Sequence, residues 1–190
     1  AIAKYENTIK NNPQNTMAYL SAVNLYRLKA SQTSDPATVA DINKKAVDIL
    51  NALITIQPDN AIAYMNMAAI YLSQNKYQEA ELNANKALQK DPTLYLPYIY
   101  LATISQSKGT NDYNNFIDLE KQAAKAVGKK AKTLKTQRDN ARNSAVNNFR
   151  KALEYLNNAK ARATDEQALT DINNRISRVN QLINQATAAY

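Results

Sequence analysis

Apolar side chains recur at helical spacing along most of the chain, and the pattern is clearest between residues 60 and 92. The large residues Tyr64, Met67 and Tyr71 are spaced to share one face of a helix. Small residues are spaced to share one face of the next helix, at Ala80, Ala84 and Ala87. Because small side chains on one helix receive large ones from its partner, this segment predicts two closely packed antiparallel helices.

Prolines and turn-forming residues divide the helical pattern into units. Pro13, Pro58 and Pro92 each follow a helical stretch, with 45 residues from the first to the second and 34 from the second to the third. The longer unit therefore carries an 11-residue insertion near residues 29–39, which we interpret as an elongated connection between helices. Predicted helix caps and turns lie at Asp35 with Pro36, at Asn60 and near Asn75.

The 34-residue unit resembles the tetratricopeptide repeat, a helix-turn-helix module. The residues that match its pattern are Tyr64, Met67, Ala68, Tyr71, Ala80, Ala87 and Pro92. The resemblance extends over residues 1 to about 127 and, in part, over 145–154. It implies an all-α fold, a right-handed α-solenoid of antiparallel helix pairs, in which neighbouring repeats bury each other's faces.

The remaining helices are predicted from the same pattern. Residues 1–13 match the second helix of a repeat whose first helix is missing, and a third repeat begins near Tyr98 and continues with a helix over roughly 112–127. A long basic helix is predicted over 130–161, and Thr164 with Gln167 predicts a capping box for a C-terminal capping helix. We therefore expect about nine helices, with repeats over 1–127 and a divergent repeat over 128–190 that continues the same solenoid.

The first helix of each repeat carries a second apolar face, about 200° from the packed one. Stacked helix pairs line their inner curve with this face, so we predict a groove that accepts a protein or peptide segment. The alternative is that these side chains contact neighbouring repeats or are covered by the chain's own terminal helix. The predicted groove residues are Met17, Leu20, Asn24, Ile62, Met65, Asn66, Ala69, Leu96, Ile99, Tyr100 and Thr103.

Positive charge is concentrated in one segment. The formal net charge is +8, and residues 121–163 hold 12 lysines and arginines against Asp139 and Glu154. Such a patch attracts nucleic acid or an anionic membrane surface, but aromatic side chains for base stacking are scarce here, and a solvated helix face is the alternative. The predicted basic patch comprises Lys125, Lys129, Lys130, Lys132, Lys135, Arg138 and Arg142.

Composition argues against catalysis. The chain has no histidine, cysteine or tryptophan and only two glycines, which removes imidazole bases, thiolate nucleophiles and glycine-rich phosphate loops. The carboxylates are dispersed, and Asp118 and Glu120 would lie on different faces of a helix. We therefore predict no enzyme activity, no catalytic residue, no cofactor and no metal site.

The function predicted from the sequence is a non-catalytic scaffold that binds a protein or peptide segment. The alternatives are a polyanion-binding module that uses the basic helix at 121–163, or the soluble repeat region of a longer membrane-associated protein. No apolar run is long enough to span a membrane. We expect a soluble fragment of a longer chain, with the cytoplasm preferred over an exported or membrane-anchored location, and we make no prediction of oligomeric state.

Overall fold

The computed structural model describes residues 1–188 and contains eight α-helices and no strand within that range. The predicted all-α fold class is therefore confirmed. The helices are α1 (Ile2–Asn11), α2 (Thr16–Ser31), α3 (Pro36–Ile56), α4 (Ala61–Ser73), α5 (Tyr77–Lys90), α6 (Leu96–Lys125), α7 (Gly128–Lys160) and α8 (Glu166–Ala188).

The helices form two compact units. The first unit, Ala1–Thr93, contains α1 to α5, and the second begins at Leu94 and contains α6 to α8. These units do not test the repeat boundaries proposed from the sequence. The repeats over 1–127 and the divergent repeat over 128–190 therefore stay a prediction.

Helix pairs α2–α3 and α4–α5 build the first unit around large and methyl-sized side chains. Val23 of α2 packs with Leu50 and Leu53 of α3, and Met67 and Ile70 of α4 belong to the same core. The three alanines predicted on one face of α5 are fully buried. Because these side chains are small, α4 can approach α5 closely, as the sequence pattern predicts.

The predicted caps of the first unit are confirmed by hydrogen bonds. The Asn60 side chain accepts from the Ala63 backbone N–H at 2.9 Å, and Asp35 accepts from that of Thr38 at 2.9 Å, with Pro36 in the first turn. Asn75 adopts a φ of 57° between α4 and α5, a left-handed conformation that asparagine tolerates better than most residues. These bonds satisfy backbone donors that would otherwise lack partners at the helix starts.

The 11-residue insertion lengthens helices rather than the connection, which corrects the sequence interpretation. Helix α2 has 16 residues against 13 in α4, and α3 has 21 against 14 in α5. Only four residues, 32–35, separate α2 from α3, one more than the three that separate α4 from α5. Three inserted residues therefore extend the first helix, seven extend the second and one enters the turn.

A buried tyrosine of α2, Tyr26, forms a hydrogen bond with α1. Tyr26 donates its hydroxyl hydrogen to Glu6 Oε1 at 2.6 Å, and Ile2 and Ile9 of α1 pack against the core of the first unit. Burial, the hydrogen bond to Glu6 and the negative charges of Glu6 and Asp41 raise the pKa of Tyr26 from 10.0 to about 12. Each of these effects disfavours the phenolate form.

In the second unit, α6 is one continuous helix, so the predicted break before residue 112 is wrong. The two halves expected there are joined through Gly109, which is why eight helices replace the expected nine in residues 1–188. Gly109 is buried, and a Cβ placed on it would lie 2.7 Å from two ring carbons of Phe149. A glycine that usually weakens a helix is needed here because the Phe149 ring of α7 occupies that space.

Helix α7 confirms the predicted long basic helix, and its apolar stripe faces α6 and α8. Ala145, Phe149, Ala152 and Leu156 form a core with Ile172 and Val179 of α8, as expected of a helix that covers α7. The predicted Thr164 capping box is wrong. Instead, Asp165 accepts from the Ala168 backbone N–H at 2.7 Å, because its carboxylate is a stronger acceptor than a hydroxyl.

Replacing Gly109 by alanine should destabilise the second unit, although alanine favours a helix. The new methyl group would meet the fully buried Phe149 ring, which cannot move without displacing its neighbours. We expect the free energy of unfolding to fall by about 1–3 kcal/mol, measured by urea denaturation followed by circular dichroism. Thr110→Ala is the control at an exposed neighbour, with a change within about 0.5 kcal/mol. A Gly109→Ala variant as stable as wild type would contradict the close approach.

Tyr26→Phe should change how stability depends on alkaline pH. The folded chain keeps the Tyr26 proton between pH 10 and about 12, whereas the unfolded chain loses it. The stabilisation is thus complete below pH 10 and declines as pH rises toward about 12. We expect the stability difference between wild type and Tyr26→Phe to shrink over this interval in urea titrations. Glu6→Gln should narrow the pH interval over which the stability difference declines, because Glu6 contributes to the raised pKa of Tyr26. A stability difference between wild type and Tyr26→Phe that is independent of pH would refute the raised pKa.

Candidate partner-binding surface

The predicted groove face of α2 is largely open. Met17 is 69% exposed, Asn24 is exposed, and Leu28, one turn further along, is 54% exposed. Leu20 differs, because it is half-buried against the core of the first unit. The exposed face of α2 therefore consists of apolar and amide side chains, with only the outer part of Leu20 accessible.

The corresponding face of α4 is half-buried, and one of its residues is already occupied. Ile62, Met65 and Ala69 retain partial exposure. Asn66 is buried: its Nδ2 donates to the Ile62 carbonyl at 2.9 Å, and its Oδ1 accepts from Arg27 Nη1 at 3.1 Å. Asn66 is a predicted groove residue, but both ends of its amide are engaged within the chain.

The predicted residues of α6 lie in the second unit. Leu96, Tyr100 and Thr103 are half-buried, and the Thr103 hydroxyl donates to the Ile99 carbonyl at 2.9 Å. Ile99 is buried in the core with α7 and α8, as in the alternative that assigned such residues to packing. The structure thus brings the α2 and α4 residues together in one unit, and the groove as a whole stays a prediction.

A cleft of about 550 Å³ opens between α2, α3 and α4 within the first unit. Its lining includes two predicted groove residues, Asn24 and Ala69. The other lining residues, Arg27, Val39 and Asn43 among them, are not predicted site residues. The insertion was an available signal for Val39, which lies in the extension of α3, but its interpretation as a connection concealed that residue.

The basic patch contains two kinds of residue. Its five lysines are exposed around the α6–α7 connection. Arg138 is only 19% exposed and binds Glu120 at 3.0 Å and Asp139 at 2.7 Å, and these hydrogen bonds raise its pKa above the ordinary arginine value. Arg142 is half-buried. The two arginines are therefore part of the packing around α7, while the lysines form a solvated cationic tip.

Comparison with known protein families identifies one of the helix pairs. The family model for the tetratricopeptide repeat matches residues 61–94, which are α4, α5 and the turn after them. Residues 61–94 form a tetratricopeptide repeat. The family resemblance predicted from the tyrosine, alanine and proline positions is thereby confirmed, as are the α-solenoid class of fold and the helix pairs that such a repeat implies.

One solved structure extends the likeness beyond that tetratricopeptide repeat. It is a crystal structure at 2.19 Å resolution from Bacteroides ovatus ATCC 8483, provisionally described as a protein binding protein. The match has a TM-score of 0.54 and 13% sequence identity, and it covers 97% of this chain and 100% of that chain. At this identity the likeness concerns the fold. The search of curated proteins found no match.

Within residues 1–188, no helix combines the length and hydropathy of a membrane span. No three acidic, histidine or cysteine side chains are grouped there in a way that could hold a metal ion.

Arg138→Gln should lower the stability of the second unit, whereas Lys130→Gln should not. Both changes remove one positive charge, but only Arg138 joins α7 to Glu120 of α6. Because Glu120 is half exposed, we expect a loss of about 0.5–1 kcal/mol, and a change within about 0.5 kcal/mol for Lys130→Gln. Urea denaturation measures both. Equal losses in the two variants would show that the ion pair is not the cause.

Proposed function

We propose that this chain is a non-catalytic scaffold that binds a segment of a partner protein along the exposed face of α2 and the half-buried face of α4 beside it. The observation that supports the proposal most directly is the exposure of Met17 and Leu28 on a helix whose opposite face is fully packed. A helix exposing large apolar side chains on its non-core face is typical of a binding surface. Methionine adapts its shape to different apolar partners.

The repeat architecture supports the same proposal. Helical repeats stack only with their neighbours and leave their remaining faces free for ligands. The crystal structure with a similar fold carries a description as a protein binding protein, and that description is consistent with a binding role here. The comparisons give no support to the polyanion or membrane-associated alternatives, and the exposed lysines around Val127 agree with a solvated surface.

Site-specific photo-cross-linking tests the scaffold proposal. A photoreactive phenylalanine analogue is placed at Met17 on the proposed surface or at Leu82 of α5, an exposed leucine on another helix. After irradiation in a lysate of the source organism, mass spectrometry identifies the adducts. We expect one partner protein to cross-link at position 17 and not at position 82.

Aspartate substitutions provide the matched controls for cross-linking. Met65→Asp places a charge on the proposed surface, so it should reduce the adduct at position 17 about tenfold or more. Leu82→Asp makes the same kind of change on α5 and should leave the adduct unchanged. Equal cross-linking at positions 17 and 82, or no effect of Met65→Asp, would contradict the assignment of the binding surface.

A further inference from the structure

A notch of about 390 Å³ opens in the second unit, where the end of α8 lies against α7. Helix α7 supplies most of its lining, and α8 supplies Thr187. Within residues 1–188, no acidic residue lines the notch. Two arginines and two asparagines of α7 line it instead: Arg142, Asn143, Asn147 and Arg150. The notch is therefore a concave surface rich in hydrogen-bond donors and positive charge.

The two arginines flank one apolar residue. Arg142, Val146 and Arg150 are spaced four residues apart, so they lie along one side of α7. At 1.5 Å per residue, the two arginines are separated by about 12 Å along the helix axis. Val146 is buried between them and forms the floor of the notch. A ligand group that rests above Val146 is therefore approached by a long cationic side chain from each end.

Most of these donors are unused. The exposed side chain of Arg150 makes no ion pair or hydrogen bond with any residue in 1–188. Glu154, four residues further along α7, lines a neighbouring depression and does not pair with Arg150. The side chains of Asn143 and Asn147 are exposed and bond to no residue of the described range. Arg142 is half-buried and has contacts of its own within the chain, and it adds a second positive charge.

Helix α8 contributes a weak opposing charge to the notch. The Thr187 hydroxyl donates to the Ile183 and Asn184 carbonyls at 2.8 and 3.1 Å, so its hydrogen is engaged within α8. The carbonyl end of a helix carries about half an elementary negative charge. Two full positive charges on α7 outweigh this partial charge, and the notch favours an anion.

The lining also favours one class of anion. Two guanidinium groups are best matched by a ligand group with two negative charges, and the asparagine amides supply further donors to its oxygen atoms. A phosphate monoester carries a charge of about −1.5 to −2 at neutral pH and has three strong acceptor oxygens. A carboxylate carries a single charge and two oxygens. The apolar floor at Val146 can contact the carbon atoms of an ester.

From this arrangement we propose that the notch binds the phosphoryl group of a small phosphate monoester. Arg142 and Arg150 pair with the phosphoryl oxygens from the two ends of the notch. Asn143 and Asn147 donate their amide hydrogens, and the ester carbon lies against Val146. Guanidinium–phosphate hydrogen bonds are charge-assisted and fix the orientation of the group they bind. The site uses no residue of α2 or α4, so it is independent of the proposed scaffold surface.

Methyl phosphate and methyl sulfate test this preference as a matched pair. They have similar shapes, but at about pH 8 methyl phosphate carries two negative charges and methyl sulfate only one. Each is titrated into the ¹⁵N-labelled chain at constant ionic strength, and NMR follows the side-chain amides of Asn143 and Asn147. We expect saturable shifts with methyl phosphate and about tenfold weaker binding of methyl sulfate. Equal binding of the two, or amide signals that do not move, would overturn the proposal.

Three variants assign the binding to the notch. Arg150→Gln should weaken methyl phosphate binding about tenfold, whereas Arg150→Lys, which keeps the charge, should retain part of it. Lys151→Gln removes the adjacent positive charge, which lies outside the lining, and should change binding by no more than about twofold. Equal weakening by Arg150→Gln and Lys151→Gln would indicate general attraction to a basic helix and would refute the site. Circular dichroism checks that each variant is folded.

Two further ligands separate an ester from free phosphate. Phenyl phosphate adds an apolar group that can lie against Val146, and inorganic phosphate has none. Tighter binding of phenyl phosphate than of inorganic phosphate supports the ester. Inorganic phosphate that binds as tightly as phenyl phosphate would overturn the assignment of an ester ligand. Neither result bears on the scaffold proposal, because cross-linking at position 17 reports on the first unit.

Discussion

Close approach of helices at methyl-sized or absent side chains is the interaction on which both units depend. In the first unit, alanines with no exposed surface allow α4 and α5 to pack against larger neighbours, and in the second unit Ala145 and Ala152 do the same for α7. Gly109 is the extreme case, since even a Cβ would meet the Phe149 ring. Larger residues at these positions would separate the helices and lose the dispersion contacts of the core.

The insertion lengthens a helix pair and leaves its core intact. The added residues extend α2 and α3 as helix, so each helix gains backbone hydrogen bonds and keeps only the usual unpaired groups at its ends. The buried residues that join α2 and α3, such as Tyr19 and Leu50, belong to the core that also contains Met67 of α4. The extended helix ends then project beyond the shorter pair that follows, and the cleft forms beside them.

Polar side chains of the same type have different roles because their neighbours differ. Asn60 caps a helix, Asn66 connects a carbonyl to Arg27, and Asn43 reaches the cleft without a partner. Likewise, Arg138 is held by two carboxylates, whereas Lys130 is exposed. A side chain engaged at all its polar atoms stabilises the fold, and one with unused donors is available to a ligand.

The sequence by itself determined the local features: the helical class, the repeat pattern over residues 60–92, the Asn60 and Asp35 caps, and the long helix predicted over 130–161. Each depends on neighbours within a few residues, where periodicity and capping chemistry act. Only the tertiary structure decided that Gly109 lies inside a helix, that Ile99 is core, that Asn66 is engaged and that Arg27 and Asn43 share a cleft. Those outcomes depend on side chains brought together from helices far apart in the chain, and a one-dimensional pattern does not encode their distances.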